Sequence, residues 1–267
     1  MPKQTDPDFL AHEAYREAKD LATRICIQER YRTHPQRWYE WLFQQLRLPE
    51  EALLLELGCG PGDLWRENRE RLPAGWRGVL SDLSTGMLTE ARGRLPHLAA
   101  RFAYAAMDAQ ALPFRDGQFE AVIGNGLIDH VPDRVRALDE IRRVLRPGGR
   151  FFTSTGGRTH LQEIEALARP FLPKADFGGD PHRFGLENGA TLLAPWFSQV
   201  TLERYDDELV FERAEPVLAY ILSEAAVRAE LSGEKREAFE QFVRNELAVN
   251  GQIRVTTAKG AFEAVRG

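Results

Sequence analysis

The sequence predicts an α/β protein built on a mostly parallel open sheet with helices on both faces. Its middle part repeatedly shows a short, continuous apolar segment that is bounded by Gly, Pro or Asp and followed by an amphipathic helical period. Strands that are buried on both faces have such continuous apolar segments, whereas half-exposed strands alternate apolar and polar residues. The succession of strand and helix favours parallel strands joined by helical crossovers.

Five strands are predicted in the middle of the chain, separated by helical segments. In the helix predicted at residues 133–146, Val135, Leu138 and Ile141 lie on one face, as the helical period requires. A Pro-Gly-Gly turn at residues 147–149 is predicted to lead into the last strand. The predicted strands are residues 52–57, 78–81, 102–106, 121–124 and 150–155.

Both ends of the chain are predicted to add elements to this core. Helices at residues 8–31 and 35–47 are expected to form an N-terminal helical lid over residues 1–48. The core then covers residues 49–267, with an insertion for substrate recognition at about residues 156–195. Near the C-terminus we expect strands 200–205 and 208–212, helices 216–223 and 234–250, and a hairpin of strands 253–257 and 261–265 around Lys259-Gly260.

The composition is that of a globular protein and excludes several classes. Apolar residues make up 43% and charged residues 28%, and the formal net charge of −5 argues against a general nucleic-acid binder, which usually carries a basic surplus. The two cysteines, Cys26 and Cys59, exclude a disulfide framework and a Cys-rich zinc site, and no metal site is predicted. No signal peptide and no apolar segment of ~20 residues is visible, so we expect a cytoplasmic protein without a membrane span.

A glycine-rich turn follows the first predicted strand. The segment Glu56-Leu57-Gly58-Cys59-Gly60-Pro61-Gly62 leads from that strand into a helix. In open parallel sheets, ligands bind at the carboxyl ends of the strands, where glycines let the backbone approach them closely. Asp82 ends the next strand, 24 residues after Gly58, and its carboxylate can accept hydrogen bonds from both hydroxyls of a ribose.

The turn does not complete the fingerprint of a dinucleotide-binding site. That fingerprint needs a third glycine five positions after Gly58, where this chain has Asp63. An acidic side chain at a helix start also opposes a phosphate electrostatically. A nicotinamide-dependent oxidoreductase stays open as an alternative, but an adenosine ligand without phosphates fits the turn better.

The stretch from Glu56 to Phe152 resembles the core of the class I S-adenosylmethionine-dependent methyltransferases of the small-molecule type. Four blocks carry the resemblance: ELGCGPG at 56–62, SDLSTGML at 81–88, MDAQALPF at 107–114 with FEAVIGNGLIDHV at 119–131, and LRPGGRFF at 145–152. The resemblance implies a Rossmann-like open sheet, mostly parallel with an antiparallel closing strand. It also implies S-adenosyl-L-methionine as cofactor, S-adenosyl-L-homocysteine as product, and in-line methyl transfer to an O, N or C atom of a small acceptor.

The resemblance assigns the methionine and ribose parts of the cofactor to the first two strands. Glu56 would help to hold the methionine amino group, often through water, with a purely structural acid as the alternative. Asp82 would bind the ribose hydroxyls. The backbone along the methionine part would come from Gly58, Cys59 and Gly60, where Cys59 would be a small packing residue rather than a nucleophile.

The resemblance places the adenine and the sulfonium along the next strands. Leu83 and Met87 would pack on the adenine, although Met87 as an ordinary core residue is an equal alternative. Asp108 would accept a hydrogen bond from the adenine amino group. The backbone of Ala109 would meet the ring, and Asn125 and Gly126 would lie under the sulfonium.

Proton transfer and acceptor binding have separate candidates. An acceptor hydroxyl or protonated amine benefits from a base, and histidine has a pKa suited to that task. His130, after the fourth strand, and His160, after the fifth, are therefore candidate catalytic residues, with a structural role as the alternative for each. Tyr31 is predicted to contact the substrate as part of the lid. Arg158 is predicted to bind an anionic group of the substrate, with a solvated surface as the alternative.

The sequence favours a small-molecule acceptor. No Asn/Asp-Pro-Pro-aromatic motif follows the fourth strand, where the chain reads Asn125-Gly126-Leu127-Ile128. That absence counts against base-amino methyltransferases of DNA, so no DNA partner is predicted. A protein or RNA methyltransferase and a non-catalytic S-adenosylmethionine-binding module stay open, as do the acceptor, the methylated atom and the oligomeric state.

Overall fold

A seven-stranded sheet forms the centre of the computed structural model, which describes residues 18–173 and 183–267. The spatial order of the strands is β3-β2-β1-β4-β5-β7-β6. Their bounds are β1 Glu51–Leu57, β2 Gly75–Asp82, β3 Phe102–Ala106, β4 Phe119–Asn125, β5 Leu145–Gly156, β6 Gln199–Phe211 and β7 Ile253–Val265. The first five strands are parallel, and β7 and β6 close the sheet in antiparallel pairing. The predicted fold class is therefore confirmed.

Helices cover both faces of this sheet. Because neighbouring strand residues point to opposite faces, Leu54 and Leu55 belong to two different hydrophobic clusters. The helices are α1 Ala18–Tyr31, α2 Trp38–Gln45, α3 Asp63–Glu67, α4 Thr85–Arg94, α5 Arg134–Val144, α6 Gln162–Ala168, α7 Gly189–Leu193, α8 Ala214–Leu222, α9 Ala225–Glu230 and α10 Gly233–Asn250. Helices α2, α3 and α4 pack on the Leu54 face, and α5 and α7 pack on the Leu55 face. The parallel order places the carboxyl ends of β1, β2 and β4 side by side.

A third hydrophobic cluster lies beyond this core. Strands β6 and β7 extend past the end of β5, and Leu209 and Val255 of these strands pack against α1, α6, α8 and α10. The predicted start of the first helix, residues 8–17, lies outside the described residues. The role of residues 1–48 as a lid stays a prediction. No described helix has both the length and the apolar character to cross a membrane.

The C-terminal strands correct the sequence prediction. Residues 200–205 and 208–212 belong to one strand, β6, and the hairpin predicted around Lys259-Gly260 is absent because β7 continues through it. The two strands pair along their full 13 residues. A Cβ on Gly260 would lie 2.7 Å from the carbonyl oxygen of Glu203, so this glycine serves a close backbone approach and not a turn.

The Pro-Gly-Gly segment before β5 also differs from its prediction. Residues 147–149 lie within β5, which begins at Leu145. The pairing of β4 with β5 shifts register between Phe119 and Ala121, which accommodates this segment. Gly148 has a φ of +73° and is exposed.

Candidate active site

A cavity of about 360 Å³ lies at the carboxyl ends of β1, β2 and β4. Its volume is in the range of small-molecule and cofactor pockets, roughly 300–1,000 Å³. Every position to which a cofactor contact was assigned lines this cavity: Glu56, Gly58, Cys59, Gly60, Asp82, Leu83, Met87, Asp108, Ala109, Asn125 and Gly126. The individual role of each stays a prediction.

The glycine turn leaves an open cradle in the cavity wall. Gly58, Gly60 and Gly62 have φ angles of +70°, +53° and +80°, a region that other residues rarely adopt. A Cβ on Gly62 would lie 2.5 Å from Leu95 Cδ1, because α3 and α4 pack closely there. A Cβ on Gly60 would meet no atom within 4 Å. The space in front of Gly60 is therefore available to a ligand.

The Asp82 carboxylate is hydrogen-bonded to the backbone of this cradle. Its Oδ2 accepts a hydrogen bond from the Gly60 N–H at 2.9 Å, and its Oδ1 accepts one from the Ser84 N–H at 2.8 Å. A carboxylate has about four acceptor positions, so both oxygens can accept further hydrogen bonds. Burial raises the pKa of Asp82, and hydrogen bonds from the backbone of Ser84, Gly60 and Leu83 oppose that rise. The side chain is thus oriented by the turn that forms the cradle.

Glu56 is a fully buried carboxyl group at the end of β1. Its Oε2 accepts a hydrogen bond from the indole N–H of Trp65 in α3. Burial raises the pKa of Glu56 to about 7, and the nearby Asp82 carboxylate adds to that rise. A cationic ligand in the cavity would stabilise the ionised form and lower this pKa.

We expect Glu56→Gln to change how stability depends on pH. The folded-state pKa, about 7, lies above the ordinary value of 4.5, so the stability that the protonated group contributes is lost as pH rises through about 7. The difference between the two pKa values corresponds to a loss of about 3 kcal/mol in the free energy of unfolding. The glutamine variant should not show this loss, because its amide is neutral at every pH and its oxygen can still accept the hydrogen bond from Trp65. Urea unfolding from about pH 5 to about pH 8 measures the difference.

Exposed Glu230→Gln is the matched control for this prediction and should follow the wild type across the pH range. Parallel stability curves for wild type and Glu56→Gln would mean that Glu56 is ionised in the folded protein throughout.

Asp108 is fixed by a neighbour that sequence reasoning missed. The Gln110 side-chain amide donates to both carboxylate oxygens of Asp108, at 3.0 and 2.9 Å, and the Gln110 N–H donates to Oδ1 at 2.9 Å. Gln110 Oε1 in turn accepts from the N–H of Asp133, the residue that caps α5. An adenine amino group that binds Asp108 would share this carboxylate with Gln110. No sequence pattern distinguished Gln110 from the other polar loop residues.

Helix α2 contributes Tyr39 to the cavity wall. Burial raises the pKa of this phenol, and the carboxylates of Asp63, Glu67 and Glu56 raise it further. Asp63 also lines the cavity, where it pairs with Arg66 at 2.9 Å and with Arg94 at 2.7 Å. Tyr39 is one of several aromatic residues in the predicted helix. The sequence pattern could not show whether it faces the cavity or packs on the sheet.

Cys59 lines the cavity but is unsuited to nucleophilic chemistry. The side chain is buried, and burial raises the pKa of its thiol, as do the carboxylates of Glu56 and Asp82. A thiol whose pKa is raised stays protonated and unreactive. This agrees with the interpretation of Cys59 as a small packing residue.

Of the four residues predicted for catalysis and substrate binding, His130 lines the cavity. His160 lies elsewhere, with its ring beside Gly156, and burial lowers its pKa to about 3. Tyr31 does not line the cavity, because its ring packs on Phe211 with 4.8 Å between ring centroids. Arg158 is exposed and does not line the cavity either. A direct role for the last three at the cavity is therefore not supported.

No group of acidic, histidine and cysteine side chains suited to holding a metal ion occurs within the described ranges 18–173 and 183–267. Both cysteines are free, with Cys26 exposed and Cys59 buried. The acidic side chains around the cavity instead make hydrogen bonds or ion pairs with neighbouring protein groups.

Residues 55–153 match a protein-family model described as a methyltransferase domain. Among curated proteins, a ubiquinone/menaquinone biosynthesis C-methyltransferase of Methylococcus capsulatus is 38% identical over 110 residues, which are 40% of this chain and 44% of that protein. A malonyl-[acyl-carrier protein] O-methyltransferase of Geobacter sulfurreducens is 34% identical over 137 residues, 51% of each chain. The chain thus spans about half, or less, of the length of these relatives.

Solved structures extend the likeness beyond the matched domain. A Haemonchus contortus phosphoethanolamine N-methyltransferase 2, in complex with phosphomonomethylethanolamine and S-adenosylhomocysteine, superposes with a TM-score of 0.59 at 18% identity, covering 98% of this chain and 60% of that one. A Bacillus halodurans protein superposes with a TM-score of 0.60 at 16% identity, covering 86% of this chain and 99% of that one. At these identities the likeness concerns the fold.

Proposed function

Since the chain belongs to the class I S-adenosylmethionine-dependent methyltransferases, we propose that its cavity binds S-adenosyl-L-methionine and that the protein transfers the methyl group to a small-molecule acceptor. The observation that carries this proposal is the pairing of Asp82 with the Gly60 cradle. A carboxylate with free acceptor capacity stands beside an open stretch of backbone, at the carboxyl ends of parallel strands.

The residues around the cavity fit the parts of this cofactor. Asp82 would accept hydrogen bonds from the ribose hydroxyls, and the cradle at Gly60 would take the methionine part. Glu56 would supply negative charge to the cationic ammonium group, because a cation in the cavity lowers its raised pKa and favours the ionised form. Asp108, with Gln110, would bind the adenine amino group, and Met87 lies on the same wall. The relatives named for quinone and phosphoethanolamine methylation support a small acceptor.

The protein's own contribution to the reaction is mainly positioning. Bound S-adenosylmethionine supplies an electrophilic methyl group on a positive sulfur. The chain has to hold the acceptor atom in line with the bond that breaks, and such placement can contribute about 7–11 kcal/mol to lowering a barrier. We assign to the His130 imidazole, at the cavity wall, the removal of a proton from an acceptor hydroxyl or amine. The two free cysteines support a cytoplasmic location, and the net charge of −5 argues against a DNA partner.

Calorimetric titration tests the cofactor assignment directly. We expect the full-length protein to bind S-adenosylhomocysteine and not NAD(H), because Asp63 takes the place of the third glycine of the dinucleotide fingerprint and its charge opposes a phosphate. Tight NAD(H) binding without S-adenosylhomocysteine binding would overturn the proposal. Mass spectrometry of small molecules that co-purify with the protein, before and after incubation with S-adenosylmethionine, identifies the acceptor class. Methylation of proteins or RNA alone would instead support the macromolecular alternative.

A further inference from the structure

The Lys259 ammonium lies in an aromatic cage beside the cavity described above. Its Nζ stands 4.4 Å from the ring centre of Trp38 and 5.3 Å from that of Tyr205, and it donates to Gln28 Oε1 at 3.1 Å. Trp41 supports these two rings, because it stacks on Trp38 and contacts Tyr205, with its ring centre 5.4 Å from each of theirs. Faces of aromatic rings attract a cation but do not neutralise its charge.

The ammonium has no carboxylate partner among the described residues. Two acidic side chains, Glu29 and Asp207, are near enough to act on Lys259 electrostatically. Both are engaged elsewhere, since Glu29 pairs with Arg37 at 2.8 Å and Asp207 Oδ1 accepts from the N–H groups of Thr33 and His34. One hydrogen bond to Gln28 leaves two of the three ammonium donors for another acceptor. A partly buried cation in this state favours an anionic ligand.

His160 adds a second unsatisfied group on the same face of the sheet. A Cβ on Gly156 would lie 3.0 Å from the His160 ring, and Gly156 pairs with Lys259 across β5 and β7. Residues paired in this way point to the same face, so the imidazole and the ammonium are neighbours. The Nδ1 atom of His160 is buried and has no hydrogen-bond partner in the described structure. A buried ring nitrogen without a partner costs free energy unless a ligand or water supplies one.

The sheet connects this cage to the cavity. Asn125, which lines the cavity, pairs with Ser154, and Ser154 pairs with Ala261, two residues from Lys259 on the same face. Two strand spacings and two residues along a strand place the Cα atoms of Asn125 and Lys259 about 12 Å apart. Helix α2 spans both sites, since Trp38 covers Lys259 and Tyr39 lines the cavity. A separation of about 12 Å is within the length of a small molecule.

We propose that Lys259 and His160 bind the anionic group of the methyl acceptor, so that the acceptor is a small molecule that carries a carboxylate or a phosphate. This inference rests on the proposed function, because it assigns the far end of the acceptor while the cavity takes the cofactor. The anion would accept from the ammonium and from the N–H of the imidazole. The aromatic rings would pack on the organic part, and a positively charged acceptor would be repelled.

Four ring compounds of similar size test the proposal on the full-length protein saturated with S-adenosylhomocysteine. Benzoate and phenyl phosphate are the anionic probes, benzamide is neutral, and benzyltrimethylammonium is cationic. We expect one or both anions to bind, and the other two probes to bind at least tenfold more weakly. Comparison of benzoate with phenyl phosphate shows whether the site prefers a carboxylate or a phosphate. Lys259→Met should lower the anion affinity by about tenfold or more, the effect of one charged hydrogen bond, and Lys259→Arg should retain it.

Binding of S-adenosylhomocysteine to Lys259→Met separates the two proposals. Unchanged cofactor affinity shows that the variant is folded, so that a loss of anion binding belongs to the cage. Anion affinity should also fall above about pH 8, because the Lys259 ammonium loses its proton there. Burial lowers the pKa of Lys259 to about 8, although the carboxylates of Asp207 and Glu29 raise it. The nearby His160 and Tyr205 side chains are neutral at this pH and do not change the direction of the effect.

Three results would overturn the cage assignment: equal binding of the cationic probe, no binding of either anion at millimolar concentration, or the same anion affinity in Lys259→Met. Failure of the wild type to bind S-adenosylhomocysteine would instead overturn the proposed function. Neither set of results can be mistaken for the other.

Discussion

Gly60→Val is expected to abolish cofactor binding while the protein stays folded. A Cβ at this position meets no protein atom within 4 Å and so extends into the cavity, where the side chain would occupy the space of the methionine part. The positive φ of +53° adds about 1–2 kcal/mol of backbone strain, which a folded domain tolerates. Calorimetric titration with S-adenosylhomocysteine and a thermal unfolding curve measure the two effects separately.

Gly148→Val is the matched control for this steric effect. Gly148 also has a positive φ, +73°, and a Cβ there would likewise meet no atom within 4 Å, but this glycine is exposed at the start of β5. We expect a similar loss of stability and unchanged cofactor affinity. Gly60→Ala should give an intermediate affinity. Wild-type binding in Gly60→Val would show that the cofactor does not contact the cradle.

Asp82→Ala is expected to weaken S-adenosylhomocysteine binding by about a hundredfold or more. Each hydrogen bond from a ribose hydroxyl to the carboxylate contributes roughly 1.5–3 kcal/mol, and the variant loses both. The substitution also leaves the N–H groups of Gly60 and Ser84 without their acceptor, which costs about 1–3 kcal/mol of stability. Binding is therefore measured at a temperature where unfolding curves show the variant to be native.

Two further variants separate charge and geometry at this position. Asp82→Asn keeps one acceptor oxygen and nearly the same volume, so it should bind more tightly than the alanine variant and less tightly than the wild type. Asp116→Ala removes an aspartate whose side chain is 78% exposed and should leave affinity unchanged. An unchanged dissociation constant in Asp82→Ala would refute the ribose contact.

The parallel half of the fold could be predicted from the chain because its central strands, β1 and β4, are buried on both faces. Leu53, Leu54 and Leu55 read as one apolar segment since the sheet has hydrophobic clusters above and below it. The candidate cofactor residues could be predicted from the sequence for a related reason. Gly58, Gly60 and Asp82 sit at strand ends, where the order of strands alone decides which side chains meet.

The remaining features depend on contacts between distant segments. Lys259-Gly260 has the local character of a turn, yet pairing with β5 on one side and β6 on the other keeps it extended. Two full ladders of hydrogen bonds outweigh the local preference of a glycine. Tyr39 and Gln110 were missed because neither belongs to a strand end. Their positions follow from how α2 and the loop after β3 pack, which no local pattern encodes.

The place of β7 between β5 and β6 has a consequence for how the protein matures during synthesis. Strand β6 leaves the ribosome before β7 and has no neighbour in the described sheet until residues 253–265 emerge. Residues 51–126, which build the cofactor cradle, leave the ribosome long before that moment. The half that carries Lys259 is therefore completed after the residues of the cradle have been made. A ribosome-stalled chain lacking β7 would expose the unpaired edges of β5 and β6, and such edges favour aggregation.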